Sequence, residues 1–153
     1  MPDGSANNAA LARALLRETR TAALATLDAL GGPFASYVTT APAADGAPLM
    51  LLSRLAVHTV NLQRDPRASL LLVREPPPGS ESLAAARLTL TGQVVRDEDL
   101  ESARLFLACH PDAARYSGFT DFSVYRFSIA AGHFVAGFGR IVSLTADQLR
   151  DAG

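Results

Sequence analysis

Short apolar runs and alternating apolar and polar positions dominate the chain, and this pattern is typical of β-strands. The alternation is clearest where leucine and threonine take turns in RLTLT, and the run from Arg67 to Val73 is apolar almost throughout. Such a continuous run predicts a strand buried on both faces. The predicted strands are 22–27, 34–40, 49–53, 67–73, 87–97, and a closing pair at 122–129 and 133–139.

Turn-forming residues separate these strands at defined points. Asp45-Gly46 is a strong signal for a tight hairpin turn. Asp65-Pro66 is expected to end the helix before it, because proline disfavours helical geometry in the preceding residue. Gly92 lies inside the strand 87–97, where a glycine indicates a bulge or the close approach of something else.

Helical spacing of apolar residues occurs in few segments. Amphipathic helices are predicted at 9–19 and 97–110, with Leu100, Ala103, Leu105 and Phe106 of the second available for the core. A short helix is predicted at 56–64, and a C-terminal helix follows its expected N-cap, Thr145. Residues 1–8 are rich in Pro, Gly, Ser and Asn and are expected to form a disordered tail.

Six or seven strands with only short helices favour an antiparallel barrel over a sheet built from βαβ units. The predicted fold class is mainly β with short α. Residues 9–153 are expected to form a single domain, because 153 residues suit one domain and no segment is long enough to be a linker.

Composition excludes several classes of protein. Charge is balanced, with 14 Lys and Arg against 15 Asp and Glu, which argues against a nucleic-acid module. No apolar run approaches the ~20 residues that span a bilayer, and the polar N-terminus lacks the layout of a signal peptide. Cys109 is the only cysteine, so no internal disulfide and no multi-cysteine metal site can form. A cytoplasmic protein without a membrane partner is the simplest interpretation.

The usual catalytic motifs are absent: no phosphate-binding Gly-rich loop, no paired-histidine metal motif and no nucleophile elbow. His110 precedes a proline at a helix end, and His133 is expected to begin a strand. Both are interpreted as partly exposed structural residues. Cys109 beside His110 is interpreted as a small hydrophobe, since adjacent helical residues point about 100° apart.

One stretch, SRLAVHTVN, concentrates hydrogen-bonding side chains just before a predicted helix. The N-terminus of a helix is a favourable place for a phosphate. Arg54 is able to donate hydrogen bonds to two phosphate oxygens, and the Ser53 and Thr59 hydroxyls are able to donate to the others. The alternative is that Ser53 or Thr59 merely caps the helix while Arg54 is solvated. The residues alone favour this second interpretation.

The ordered motifs ALATL, PFAS, LLSRLAVHTVNL, DPRASLLL, ARLTLTGQV and GFGR change that balance. With them, the chain resembles the FMN-binding split barrels related to pyridoxamine 5′-phosphate oxidase, and most of all their haem-utilisation (HugZ-type) branch. The resemblance covers roughly residues 12–145. It implies a six- to seven-stranded antiparallel split β-barrel that forms a homodimer, with FMN in a groove between the protomers.

The resemblance also implies which residues bind the cofactor. Ser36 and Tyr37 would lie on the strand beside the flavin ring, and Arg87 near the isoalloxazine. Arg140 of GFGR would reach the site across the dimer. Ser53, Arg54, His58 and Thr59 match the phosphate-side stretch of the family.

The function expected on this basis is that of a small FMN-dependent oxidoreductase acting on a small molecule. No side chain stands out as a general acid or base, so the catalytic residues are left unassigned. The strand 34–38 lacks the Arg and Lys that the pyridoxamine phosphate oxidases carry there, which argues against that activity. Two alternatives remain: a haem-binding or haem-degrading protein with His58 or His133 as axial ligand, and a non-catalytic flavin carrier or sensor.

Overall fold

The computed structural model describes residues 4–137 and 139–151. Within these residues, eight strands form one antiparallel sheet with the order β2-β1-β5-β6-β7-β4-β3, and β8 pairs with the second half of β7. β2, at one edge, also contacts β4 near the other edge, so the sheet curls towards a barrel. The strands are β1 (Thr21–Leu27), β2 (Pro33–Thr39), β3 (Ala41–Pro42), β4 (Pro48–Ser53), β5 (Arg67–Val73), β6 (Arg87–Arg96), β7 (Phe122–Val135) and β8 (Ile141–Thr145).

Short helices cover this sheet, and the first is longer than predicted. It begins at Gly4, so residues 4–8 are helical instead of forming a tail, and residues 1–3 lie outside the described residues. Buried Ala9, Leu15 and Leu16 hold it on the core, and such packing outweighs the weak helix propensity of the polar start. The helices are α1 (Gly4–Glu18), α2 (Val57–Arg64), α3 (Leu100–Cys109), α4 (Ala114–Ser117) and α5 (Ala146–Leu149). Among the described residues, no helix combines the length and the apolar character needed to cross a membrane.

Several predicted ends and turns are confirmed. α2 ends at Arg64, directly before Asp65-Pro66. The chain turns between β3 and β4 at Gly46, whose φ of 88° suits the predicted Asp-Gly turn. Thr145 caps α5 in a reciprocal capping box with Gln148.

The N-terminal start of α3 differs from the prediction. α3 starts at Leu100, after Asp99, which accepts a hydrogen bond from the Glu101 amide at 3.0 Å. Leu100 therefore lies on the first turn and is 85% exposed, so its assignment to the core was wrong, whereas Phe106 is buried as expected.

The sheet has a buried inner face and an exposed outer face, because side chains alternate along each strand. Leu24, Leu70 and Leu90 pair in turn across β1, β5 and β6, and Gly132 of β7 links this inner-face row to Leu144 of β8. The four leucines are at most 2% exposed. Residues that neighbour them in sequence point outwards. β5 follows the same rule: its burial alternates, so the prediction that both of its faces are buried is wrong for the single chain.

β7 is one strand of 14 residues, not the predicted pair, and β8 was missed. The predicted pair leaves residues 130–132, AAG, between its two strands. In the structure Gly132 continues the strand, paired with Leu90 and Leu144, and its missing side chain leaves room for Leu149 of α5, which would lie 2.7 Å from a Cβ at this position. The chain then turns between Val135 and Ile141 into β8.

Gly92 confirms the predicted bulge. The register between β6 and β7 shifts between Thr91 and Gly92, and the Ser128 carbonyl oxygen lies only 2.0 Å from where a Cβ of residue 92 would be. The bulge increases the local bend of β6, which helps the sheet to curl.

Candidate functional site

The junction between β4 and α2 is organised by Ser53. Its hydroxyl donates to the Asp121 carboxylate at 3.1 Å and accepts from the Leu55 amide at 3.1 Å. Residue Ala56 occupies the N-cap position of α2 and provides no side-chain hydrogen bond. The interpretation of Ser53 or Thr59 as the helix cap is therefore wrong.

Behind this junction, α2 presents polar side chains to the inner side of β1 and β2. His58 Nδ1 lies 3.1 Å from the Ser36 hydroxyl, and Asn61 donates to the Thr26 hydroxyl at 3.0 Å. Among the described residues, buried His58 Nε2 and buried Thr59 Oγ1 have no hydrogen-bond partner. Burial lowers the pKa of His58, because removal from water disfavours the charged imidazolium.

The start of α2 has the features of an anion site, but one carboxylate lies beside it and would repel an anion. The amides of Val57 and His58 open the helix and cannot bond within it. Arg54 is exposed, and its guanidinium makes no hydrogen bond to any of the described residues. Asp121, however, places a carboxylate against Ser53, so the Ser53 hydroxyl is already occupied.

A second group of predicted residues lies on the outer face of the sheet. The paired residues Tyr37, Ala23, Leu71, Thr89 and His133 follow one another across β2, β1, β5, β6 and β7. Tyr37 is 77% exposed and Leu71 is 39% exposed, both high values for large apolar side chains. Because Ser36 and Tyr37 are consecutive in a strand, they lie on opposite faces of β2.

Arg87 lies at one end of this outer face, and Arg140 lies in a turn at the same end of the sheet. Arg87 pairs with Val73 and Val135, and its guanidinium donates to the Leu83 carbonyl at 2.9 Å and the Ala85 carbonyl at 3.2 Å. Arg140 is exposed in the turn that connects β7 to β8.

A pocket of about 320 Å³ opens on the same face between Tyr37, Leu71, Val73 and Pro76. Sequence reasoning did not assign these last three residues to a site. The apolar run of β5 is the sequence signal for this surface, but its alternate residues Leu71 and Val73 are exposed on the outer face instead of buried.

The three histidines have different surroundings. His110 Nε2 donates to the Thr40 carbonyl at 2.6 Å, and its ring lies 4.9 Å from that of Phe106. His133 lies near the end of β7 instead of at a strand start, and it is exposed beside Thr89 of β6. His110 is therefore structural, as predicted, whereas His133 is available to a ligand.

An antiparallel sheet with this strand order and these short helices defines a split β-barrel. The model of the CREG β-barrel family matches residues 3–149, and the chain belongs to this family. A protein from Clostridium acetobutylicum described as of the pyridoxinephosphate oxidase family superposes with a TM-score of 0.71 at 13% identity, covering 94% of this chain and 98% of that one. This likeness shows the fold alone, and it confirms the predicted split barrel with eight strands instead of six or seven.

Relatives closer in sequence are named for haem. The chloroplastic non-canonical haem oxygenase HOZ of Arabidopsis thaliana is 37% identical over 110 residues, covering 70% of this chain and 33% of that protein. Haem oxygenase HutZ of Vibrio cholerae is 29% identical over 141 residues, covering 88% and 80%. A haem-binding protein from Mycobacterium smegmatis superposes with a TM-score of 0.85 at 36% identity, covering 97% and 61%. This chain thus spans about a third of the Arabidopsis protein. The predicted resemblance to the haem-utilisation branch is confirmed.

Proposed function

We propose that this protein binds haem on the outer face of its sheet. The names of the Arabidopsis, Vibrio and Mycobacterium relatives support haem, and they support the alternative prediction better than the flavin-dependent oxidoreductase. The outer face supports it physically, since exposed apolar side chains such as Leu71 and Val73 are what a large flat macrocycle needs. Oxidative degradation of haem is the activity to assay once binding is measured.

The observation that carries this proposal is the position of His133. Of the two candidate axial ligands, His58 faces the inner side and is bonded to Ser36. His133 is exposed among outer-face residues, and no described residue hydrogen-bonds its ring. An exposed imidazole on an apolar surface can provide a nitrogen to iron. Leu71 lies in the same row as His133, two strands away, about 10 Å at the usual strand spacing.

Replacing His133 with alanine should abolish the Soret shift that accompanies axial ligation when haem is added to the purified protein. The reason is that the replacement removes the one exposed imidazole of the described residues on this face. Difference absorption titration of wild type and variant measures both the shift and the affinity. His58→Ala is the matched control and should leave the haem spectrum unchanged. The opposite pattern, with the shift lost in His58→Ala and kept in His133→Ala, would move the ligand to the inner side.

A second candidate function, FMN binding, rests on the start of α2. The unpartnered His58 Nε2 and Thr59 Oγ1, the free first-turn amides and exposed Arg54 together suit a phosphate. In this proposal Tyr37 and Arg87 would contact the flavin ring, as the resemblance implies.

If FMN binds there, its affinity should rise as pH falls. A phosphate dianion beside His58 favours the imidazolium and raises a pKa that burial lowers in the free protein, so binding takes up a proton. Affinity is therefore lost as pH increases through the raised value. Fluorescence titration between about pH 5 and 9 measures this for wild type and His58→Ala. Parallel curves would remove His58 from the phosphate site, and riboflavin, which lacks phosphate, should show no such dependence.

We also propose that the protein is a homodimer. Leu71, Val73 and Tyr37 are exposed on one face of the single chain. A second copy covering part of this face would bury them and leave the ligand in a groove between protomers, which is the arrangement the resemblance implies. Closed twofold symmetry is the usual solution for small homo-oligomers.

A further inference from the structure

The connection between β5 and β6 forms one wall of the outer-face pocket. This connection, residues 74–86, is called the proline-rich segment because it contains Pro76, Pro77 and Pro78. Glu75 and Pro76 line the 320 Å³ pocket together with Tyr37 and Leu71 of the sheet. The shape of the pocket therefore depends on where this segment lies.

The proline-rich segment has little packing of its own to fix its position. Leu83, its largest apolar side chain, is 64% exposed, and only Ala85 is buried. Its three prolines have no amide hydrogens to donate. A single turn at Ser82–Ala84 is closed by bonds from the amides of Ala84 and Ala85, at 3.1 and 3.2 Å.

Two arginines tie the proline-rich segment to the rest of the fold. Arg74 pairs with Glu18 of α1 at 2.8 Å, but both groups are largely exposed, and such pairs contribute little. Arg87 Nη1 donates to two carbonyls of the segment, those of Leu83 and Ala85. Arg87 is the more effective tie, because it is half-buried and makes two charge-assisted hydrogen bonds, of which the one to Ala85 is shielded in part from water.

We propose that Arg87 is a positioning residue for the haem site. It holds the proline-rich segment as a wall of the pocket, and it acts on the ligand through that wall. This inference rests on the proposed haem-binding function, and it gives Arg87 a different role from the direct contact with a bound ring that the resemblance implies. Arg87 reaches the segment from the first position of β6, and the sheet fixes its backbone on both sides through Val73 and Val135.

Hydrogen exchange in the protein without haem tests the tie directly. Arg87→Gln should speed exchange of the Ala84 and Ala85 amides about tenfold or more, while amides in the middle of β6 keep their wild-type rates. Arg96→Gln is the matched control, since Arg96 ends the same strand and pairs only with Glu98 at 3.7 Å among the described residues. Arg87→Lys should restore most of the protection, because both hydrogen bonds come from one nitrogen and an ammonium group has three donors.

The second measurement is the rate at which haem dissociates. We expect faster dissociation from Arg87→Gln and near wild-type rates from Arg87→Lys and Arg96→Gln. Unchanged exchange at Ala84 and Ala85 in Arg87→Gln would show that Arg87 does not hold the proline-rich segment and would overturn the proposal. If haem nevertheless dissociated faster from this variant, Arg87 would contact the ligand directly. Faster exchange throughout the sheet would show a general loss of stability and would equally overturn the proposal. A wild-type protein that binds no haem would overturn the proposed function. The exchange measurement is made without haem, so it tests the role of Arg87 separately from haem binding.

Discussion

Replacing Gly92 with alanine should lower the free energy of unfolding by about 3 kcal/mol, at the upper end of the usual cost of overpacking. An added Cβ would lie 2.0 Å from the Ser128 carbonyl oxygen and 3.1 Å from the Ala130 amide nitrogen. Both are backbone atoms of the neighbouring strand β7, so they cannot rotate away as the end of a flexible side chain could. The pair β6–β7 joins the two halves of the sheet. A shift there disturbs the inner-face core on both sides.

Urea unfolding followed by circular dichroism measures this loss. Gly118→Ala is the matched control, because Gly118 has a helical φ of −82° and no atom within 4 Å of an added Cβ. It should unfold at the wild-type urea concentration or slightly above. A Gly92→Ala variant that also unfolds like wild type would mean that the bulge relaxes without cost.

Most of the strands could be predicted because apolar and polar residues alternate along a strand that is buried on one face only. RLTLT in β6 alternates in sequence as it does in burial, and Leu88 and Leu90 are both fully buried. Local signals such as Thr145 and Asp65-Pro66 also hold, because the hydrogen bond or steric clash involved is made within a few residues.

The predictions are wrong where contacts between residues distant in the chain determine the local structure. Gly132 looks like a strand break, yet it is the position on which Leu149 of α5 packs. The polar start of α1 looks like a tail, yet it continues a helix whose later turns are buried. The packing of Leu149 on Gly132 and the burial of the later turns of α1 both depend on residues distant in the chain, so neither has a local sequence signal.

The candidate site shows the same limit. The polar stretch that begins at Ser53 was correctly placed between β4 and α2, but the sequence could not show which way each side chain faces. His58 turns inwards to Ser36, and Ser53 is engaged by Asp121, 68 residues later in the chain. His133, interpreted as structural, lies instead on the face that carries the exposed apolar residues.

Replacing Leu71 with arginine should convert the proposed dimer into a monomer. Leu71 lies at the centre of the outer face, paired with Ala23 on one side and Thr89 on the other. At a twofold interface each substitution acts twice, so the variant would place two guanidinium groups against apolar surface of the partner. Burying an unpaired charge costs several kcal/mol, more than a small interface can offset. The inner-face core is untouched, since Leu71 points away from it.

Light scattering coupled to size exclusion, at micromolar concentration, should give twice 16.1 kDa for wild type and 16.1 kDa for Leu71→Arg. Leu30→Arg is the control: Leu30 is 96% exposed in the turn between β1 and β2, away from the paired positions of the face, and should leave the dimer intact. A wild-type monomer would contradict the dimer proposal. Because the ligand is proposed to lie in the groove between protomers, Leu71→Arg should weaken haem binding even though His133 is retained. A monomeric variant that binds haem like wild type would place the whole ligand site within one chain.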